Sequence, residues 1–255
     1  MNRKWLVALC AAISVGFLGL GTARADTIWG TGGDGWQSGY TLGNSGTPYW
    51  NNGSWDGDGT KENIGYCLAG GGNCTFSGSP GPALPYWGNT DGSADLSFYF
   101  TNTTHDSKAA LRLEVAGNAD YNYFGYYDVA TGKLHPIFTG PQAQGATADF
   151  FPTGDYGFYL IGPSYDGGVT GPLYLTQSTG PGDSDPTFQH FAVFQQDALT
   201  YWIGVEDLPS SNTDADYNDM IIKVTNIPVP EPSTLLLLAS GLAGLGGVVW
   251  RRQRK

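Results

Sequence analysis

Residues 188–224, FQHFAVFQQDALTYWIGVEDLPSSNTDADYNDMIIKV, decide how this chain folds. They contain three short apolar runs, 188–194, 199–205 and 220–224, rich in aromatic and β-branched residues and too short for independent helices. Polar, turn-forming segments separate the runs, so the stretch reads as successive β-strands. Working upstream, residues 95–100, 110–115, 121–129, 156–161 and 173–176 are further strand candidates between Gly, Pro and Asp turns. In 110–115 the residues Leu111, Leu113 and Val115 share one face. No segment offers an amphipathic helix longer than two turns, and no internal repeat is present. Eight or more short strands at this spacing predict an all-β, single-domain fold: an antiparallel β-sandwich or jelly roll.

Composition agrees. Of 255 residues, 39 are Gly and 15 are Pro, which opposes a helical bundle. Charged residues make up 14% and aromatics another 14%. Few charges and many aromatics exclude a disordered chain, because such a sequence can bury apolar surface.

The two ends read as processing segments. Arg3 and Lys4, an apolar run over 5–21 and the small-x-small triplet Ala23-Arg24-Ala25 form a secretory signal peptide, residues 1–25, removed by signal peptidase before Asp26. At the other end, Val229-Pro230-Glu231-Pro232-Ser233 precedes an apolar helix candidate over 234–250 and a basic tail over 251–255. The apolar stretch is barely long enough to span a bilayer, and the cations behind it would stay cytoplasmic. This arrangement over 229–255 resembles the PEP-CTERM sorting signal of Gram-negative bacteria, with Pro230, Glu231 and Pro232 as the motif. The resemblance implies an inner-membrane-anchored intermediate, processing by an exosortase, and release to the cell surface or an exopolysaccharide matrix. A plain C-terminal anchor is the simpler alternative.

Setting the ends aside leaves a domain over 26–228 and changes the charge balance. Lys61, Lys108, Arg112, Lys133 and Lys223 face 22 acids between residues 26 and 230, a net charge of -17. That surface repels nucleic acid, and it repels anionic polymers unless divalent cations intervene. Cys67 and Cys74 are the two cysteines outside the signal peptide. An even pair in an oxidising compartment reads as a disulfide, and neither a redox CxxC nor zinc-ligand spacing competes with that reading.

The acids concentrate where the last two apolar runs meet. Gly204-Val205-Glu206-Asp207-Leu208 leads through a polar loop to Asp214-Ala215-Asp216-Tyr217-Asn218-Asp219 and the final strand. Over 188–225 this pattern resembles a DUF4114-type domain, with Tyr217 where the family usually has Phe. The family has no assigned reaction, so the resemblance implies an architecture and a cation site. The residues argue for a cation on their own account. The carboxylates of Glu206, Asp207, Asp214, Asp216 and Asp219, with the amide of Asn218, would repel one another beside the single nearby cation Lys223. Ca²⁺ relieves such repulsion by taking six to eight oxygen ligands. An EF-hand is excluded, because Asp219 and Thr225 stand where Gly and Glu are required. A solvated acidic turn is the other reading of the same residues. A lesser candidate, Asp56-Gly57-Asp58-Gly59-Thr60, reads better as a Gly-rich turn.

Catalytic patterns are thin. His105, His135 and His190 lack zinc spacing, and His190 within a strand reads as structural. Neither a GxSxG elbow nor a P-loop occurs. No catalytic residue and no organic cofactor is assigned. The expectation is a non-catalytic exported surface or matrix protein with a Ca²⁺-stabilised acidic loop. Trp29, Trp36, Trp50, Trp55, Trp87, Tyr40, Tyr49 and Tyr86 in the first third offer an alternative, a carbohydrate-binding platform, although aromatics in a Gly-rich sheet are more often core. A secreted hydrolase, resting on paired carboxylates, comes last.

Overall fold

A computed structural model of the protein describes residues 26–227 except 32–33, 44, 54–61, 71–73, 75, 77, 82, 103–105, 115–120, 141 and 164–170. The expected signal peptide over 1–25, the segment with Pro230, Glu231 and Pro232, the apolar stretch 234–250 and the basic tail lie outside the described residues. So do Trp55, the 56–60 turn, Lys61, His105, Val115 and the side chains of Leu111 and Leu113. Among the described residues no helix is long and apolar enough to cross a membrane.

Side chains of a strand alternate between two faces, and β9 (Tyr156–Ile161) shows what that does here. Tyr156, Phe158 and Leu160 point into the main core, while Tyr159 joins a smaller outer cluster with Tyr127 and Leu175. β9 is central in a first sheet ordered β1 (Thr27–Trp29), β4 (Tyr99–Thr101), β9, β6 (Tyr123–Asp128) and β7 (Leu134–Thr139), with β10 (Leu173–Leu175) also paired to β9. The second sheet runs β2 (Asp34–Gln37), β3 (Tyr86–Asn89), β11 (Phe191–Asp197), β12 (Thr200–Val205), β13 (Met220–Ile227), β5 (Asp106–Glu114) and β8 (Thr147–Phe150). Every pairing is antiparallel. The chain passes repeatedly from one sheet to the other, and the two inner faces share one core of Phe, Tyr, Ile and Val side chains. The predicted all-β antiparallel sandwich is what forms.

Strands β1, β2, β3, β7 and β8 had no counterpart in the periodicity reading. β7 shows why. It contains Pro136, bulges at Ile137 opposite Phe124 and Gly125, and lies at a sheet edge, the place where a strand tolerates proline. The expected strand over 95–100 shortens to Tyr99–Thr101, preceded by an isolated bridge between Ser97 and Gln177.

β11 and β12 read as continuous apolar runs because both of their faces are covered. Phe191, Val193, Tyr201, Ile203 and Val205 fill the core between the sheets. On the other face Ala192, Phe194, Trp202 and Ile221 lie under Trp50, Ile64, Leu68 and Phe76, contributed by the chain between β2 and β3. That excursion contains the short helix α1 (Ile64–Leu68), capped by the Asn63 side chain accepting from Tyr66 N. The aromatics considered as a carbohydrate platform are largely packing groups here. Trp50, Tyr86 and Trp87 are buried. Tyr40 and Tyr49 donate their hydroxyls to the carbonyls of Leu84 and Phe191. Trp36 stacks on Tyr201, and Trp29 alone of the described tryptophans is well exposed, at 56%. Aromatic area buried in this way is worth more to the fold than a solvated sugar platform would be.

Cys67 and Cys74 form the expected disulfide, tying the end of α1 to the following loop. The loop is short, so closing it removes limited entropy from the unfolded chain. Replacing both cysteines by serine should cost about 2–3 kcal/mol. A denaturant titration reads this directly, and an unchanged midpoint would show that the bridge adds nothing.

Candidate metal centre

The pairing of β12 with β13 creates the site. Val205 sits opposite Met220, so Glu206 and Asp207 leave one strand where Asp219 enters the other. The connecting loop first turns at Pro209, whose carbonyl accepts from the backbone amides of Asn212 and Thr213. Ala215 and Tyr217 then adopt positive φ values of 56° and 59°. Residues other than glycine enter this left-handed region rarely, and the cost is tolerated where surrounding contacts over-determine the loop. Those contacts come from the excursion over the second sheet. Ile64 N donates to the Asp216 carbonyl at 2.9 Å. Asn218 Nδ2 donates to the Glu62 carbonyl, and Asn52 Nδ2 donates to the Asp214 carbonyl. The Tyr217 hydroxyl donates to the Gln189 carbonyl at 2.7 Å, and its ring packs against Tyr49 and Phe188.

All six residues expected at a cation site meet at this end of the hairpin. Glu206, Asp207, Asp216 and Asn218 are buried, whereas Asp214 and Asp219 are partly exposed. Oxygens of Glu206, Asp207 and Asp219 lie within 4.8 Å of one another, as do oxygens of Glu206, Asp214 and Asp216. Asp207 N donates to Asp219 Oδ2 at 2.8 Å, and Leu208 N donates to Glu206 Oε1 at 3.3 Å. Asn218 donates its backbone N to Asp216 Oδ1 and its side-chain nitrogen to Asp216 Oδ2. It therefore braces Asp216, and its own amide oxygen is the atom left for a ligand role.

Burial first, then the neighbouring charges of Asp219, Asp214 and Asp216, push the Glu206 pKa well above the usual carboxylate range. Burial and then Asp207 do the same to Asp219. Fully ionised and without a cation, this cluster is unfavourable. Glu206 Oε2 is buried with no hydrogen-bond partner among the described residues. These features suit a hard cation: oxygen donors only, five of the residues carboxylates, and one oxygen still without a partner among the described residues.

A seventh residue belongs to the site. Asn122, immediately before β6 in the first sheet, donates Nδ2 to Asp207 Oδ2 at 2.9 Å, and its Oδ1 is a second buried oxygen without a partner among the described residues. It lies 85 positions from Asp207 in the sequence, inside no recognisable pattern. His190, expected to be structural, donates Nδ1–H to the Glu206 carbonyl at 2.9 Å and stacks on Tyr174. Burial lowers its pKa to about 4, so it is neutral at physiological pH. Glu62, Cys67 and Cys74 also cluster, but the sulfurs are bonded to each other and are not thiolate ligands.

Residues 150–226 match the family model DUF4114, a domain of unknown function. The match reaches well upstream of the expected 188–225 and takes in β9 to β13 with the whole acidic loop. Asn122 and the clamping residues Asn52, Glu62 and Ile64 fall before it. Residues 228–255 match the PEP-CTERM protein-sorting motif. That motif is the recognition signal for exosortase processing, and it implies export, a membrane-anchored sorting intermediate and delivery to the surface. No curated protein and no solved structure matches the chain.

Proposed function

We propose that this protein is a non-catalytic component of the cell surface or its polysaccharide matrix, and that its DUF4114 domain is held together by Ca²⁺ at the β12–β13 end. The sorting motif supports the destination. The buried, unpartnered Glu206 Oε2 among four further carboxylates carries the cation reading. Glu206, Asp207, Asp214, Asp216 and Asp219 would hold the ion, which supplies the positive charge this end of the hairpin needs. A non-catalytic role is supported by the lining of the groove beside the acidic loop, which these five carboxylates do not join. That groove, about 530 Å³, is lined by residues including Tyr49, Asp95, Phe188, Gln189 and Tyr217 of the loop itself, and by none of the five carboxylates. The packing of the first-third aromatics favours this reading over a carbohydrate platform.

Calorimetric titration of the chelator-treated, processed protein with CaCl₂ is the test. Saturable binding that is lost in Glu206→Gln is expected. Absence of binding heat, together with unchanged melting on Ca²⁺ addition, would remove the cation from the proposal.

A further inference from the structure

The acids at the β12–β13 end form two ligand sets that share one member. Glu206, Asp207 and Asp219 compose the first; Glu206, Asp214 and Asp216 compose the second. Within each set the oxygens lie no more than 4.8 Å apart. Two oxygens on opposite sides of one Ca²⁺ are separated by about twice the metal–oxygen distance of 2.3–2.6 Å, so each set has the span of a single coordination shell. The sets are also anchored independently. Asp207 is held by Asn122 from the first sheet and donates its own backbone N to Asp219. Asp216 is held by Asn218 and, through its carbonyl, by Ile64 of α1.

Glu206 is the member the two sets share, and its two oxygens have different surroundings. Oε1 accepts the Leu208 amide, and Oε2 is buried without a hydrogen-bond partner among the described residues. A carboxylate that bridges two metal ions uses both oxygens, and paired ions in such sites sit about 3.5–4 Å apart. Charge points the same way. Five carboxylates around one divalent ion leave three negative charges uncompensated in a mostly buried site, whereas two ions leave one.

From this we infer that the acidic end is a two-cation centre, with Glu206 bridging an Asp207–Asp219 site and an Asp214–Asp216 site. The inference rests on the Ca²⁺ reading above and deepens it from one ion to two.

Equilibrium dialysis of the processed protein against buffered CaCl₂, with bound calcium counted by atomic emission, separates the possibilities. About two ions per wild-type chain are expected. Asp207→Asn and Asp216→Asn should each retain about one, with a native circular dichroism spectrum. A wild-type count of one overturns the two-cation centre and leaves the single-ion reading standing; a count of zero overturns both. The wild-type count needs no variant to fold. Loss of both ions in either natively folded variant would show that the two sets do not bind separately, and would also overturn the inference.

Discussion

Treating the protein with EDTA at pH 8 should lower its melting temperature by about 5–10 °C relative to the Ca²⁺-loaded form. A ligand at a hundred times its dissociation constant stabilises the native state by about 2.7 kcal/mol. In a domain of this size each kcal/mol moves the midpoint by about 2–4 °C. The pH dependence has a definite sign. Burial and like charge raise the pKa values of Glu206 and Asp219 in the folded chain. Without the cation, the folded state therefore keeps protons that the unfolded chain releases above about pH 4. Their contribution is complete below that pH and is lost as pH rises through the raised folded values. The chelated protein should melt progressively lower between about pH 5 and pH 8, and the gap to the Ca²⁺ form should widen. Glu206→Gln removes one buried charge, so at pH 8 in EDTA it should melt above the chelated wild type while responding little to Ca²⁺. Superimposable wild-type curves with and without EDTA across this range would contradict the whole account.

Gly204→Ala should be the most damaging single-methyl change at the acidic end of the sheet. A Cβ there would lie 2.2 Å from Ile64 Cδ1 and 2.4 Å from the Tyr217 carbonyl oxygen. The isoleucine tip can turn aside, but the carbonyl belongs to the strained segment between Asp216 and Asn218. Relief must come from lifting α1 off the sheet or from moving the acidic loop. Overpacking of this kind costs about 1–3 kcal/mol. Because the loop carries the proposed ligands, Ca²⁺ affinity should fall about tenfold, a change of 1.4 kcal/mol in binding. Gly154→Ala, whose added Cβ meets nothing within 4 Å, is the control and should stay within about 0.5 kcal/mol of wild type. Wild-type melting and Ca²⁺ affinity in Gly204→Ala would mean that the α1–loop contact is far softer than its geometry indicates.

These two expectations locate what was legible in the sequence. The central strands β9, β11, β12 and β13 were readable because their apolar residues are consecutive and must be buried wherever the chain goes. The edge and N-terminal strands β1, β2, β3, β7 and β8 were not. They are three to six residues long, and pairing with an existing sheet, rather than their own pattern, makes them strands. The acidic cluster was readable because Glu206 to Asp219 are neighbours along the chain and a hairpin needs only local pairing to join them.

By itself, then, the sequence determined an all-β chain, a sorting motif at one end, a disulfide between Cys67 and Cys74, and a dense group of acids at one hairpin. Only the tertiary structure decided what surrounds those acids. Asn122 reaches Asp207 across 85 residues, and Glu62 reaches Asn218 across 156. The same long-range packing turned Trp50, Tyr86 and Trp87 from a possible sugar platform into the walls of two cores. Burial is a property of the assembled layers. No residue's environment follows from its own neighbours when the surface that covers it lies a hundred positions away.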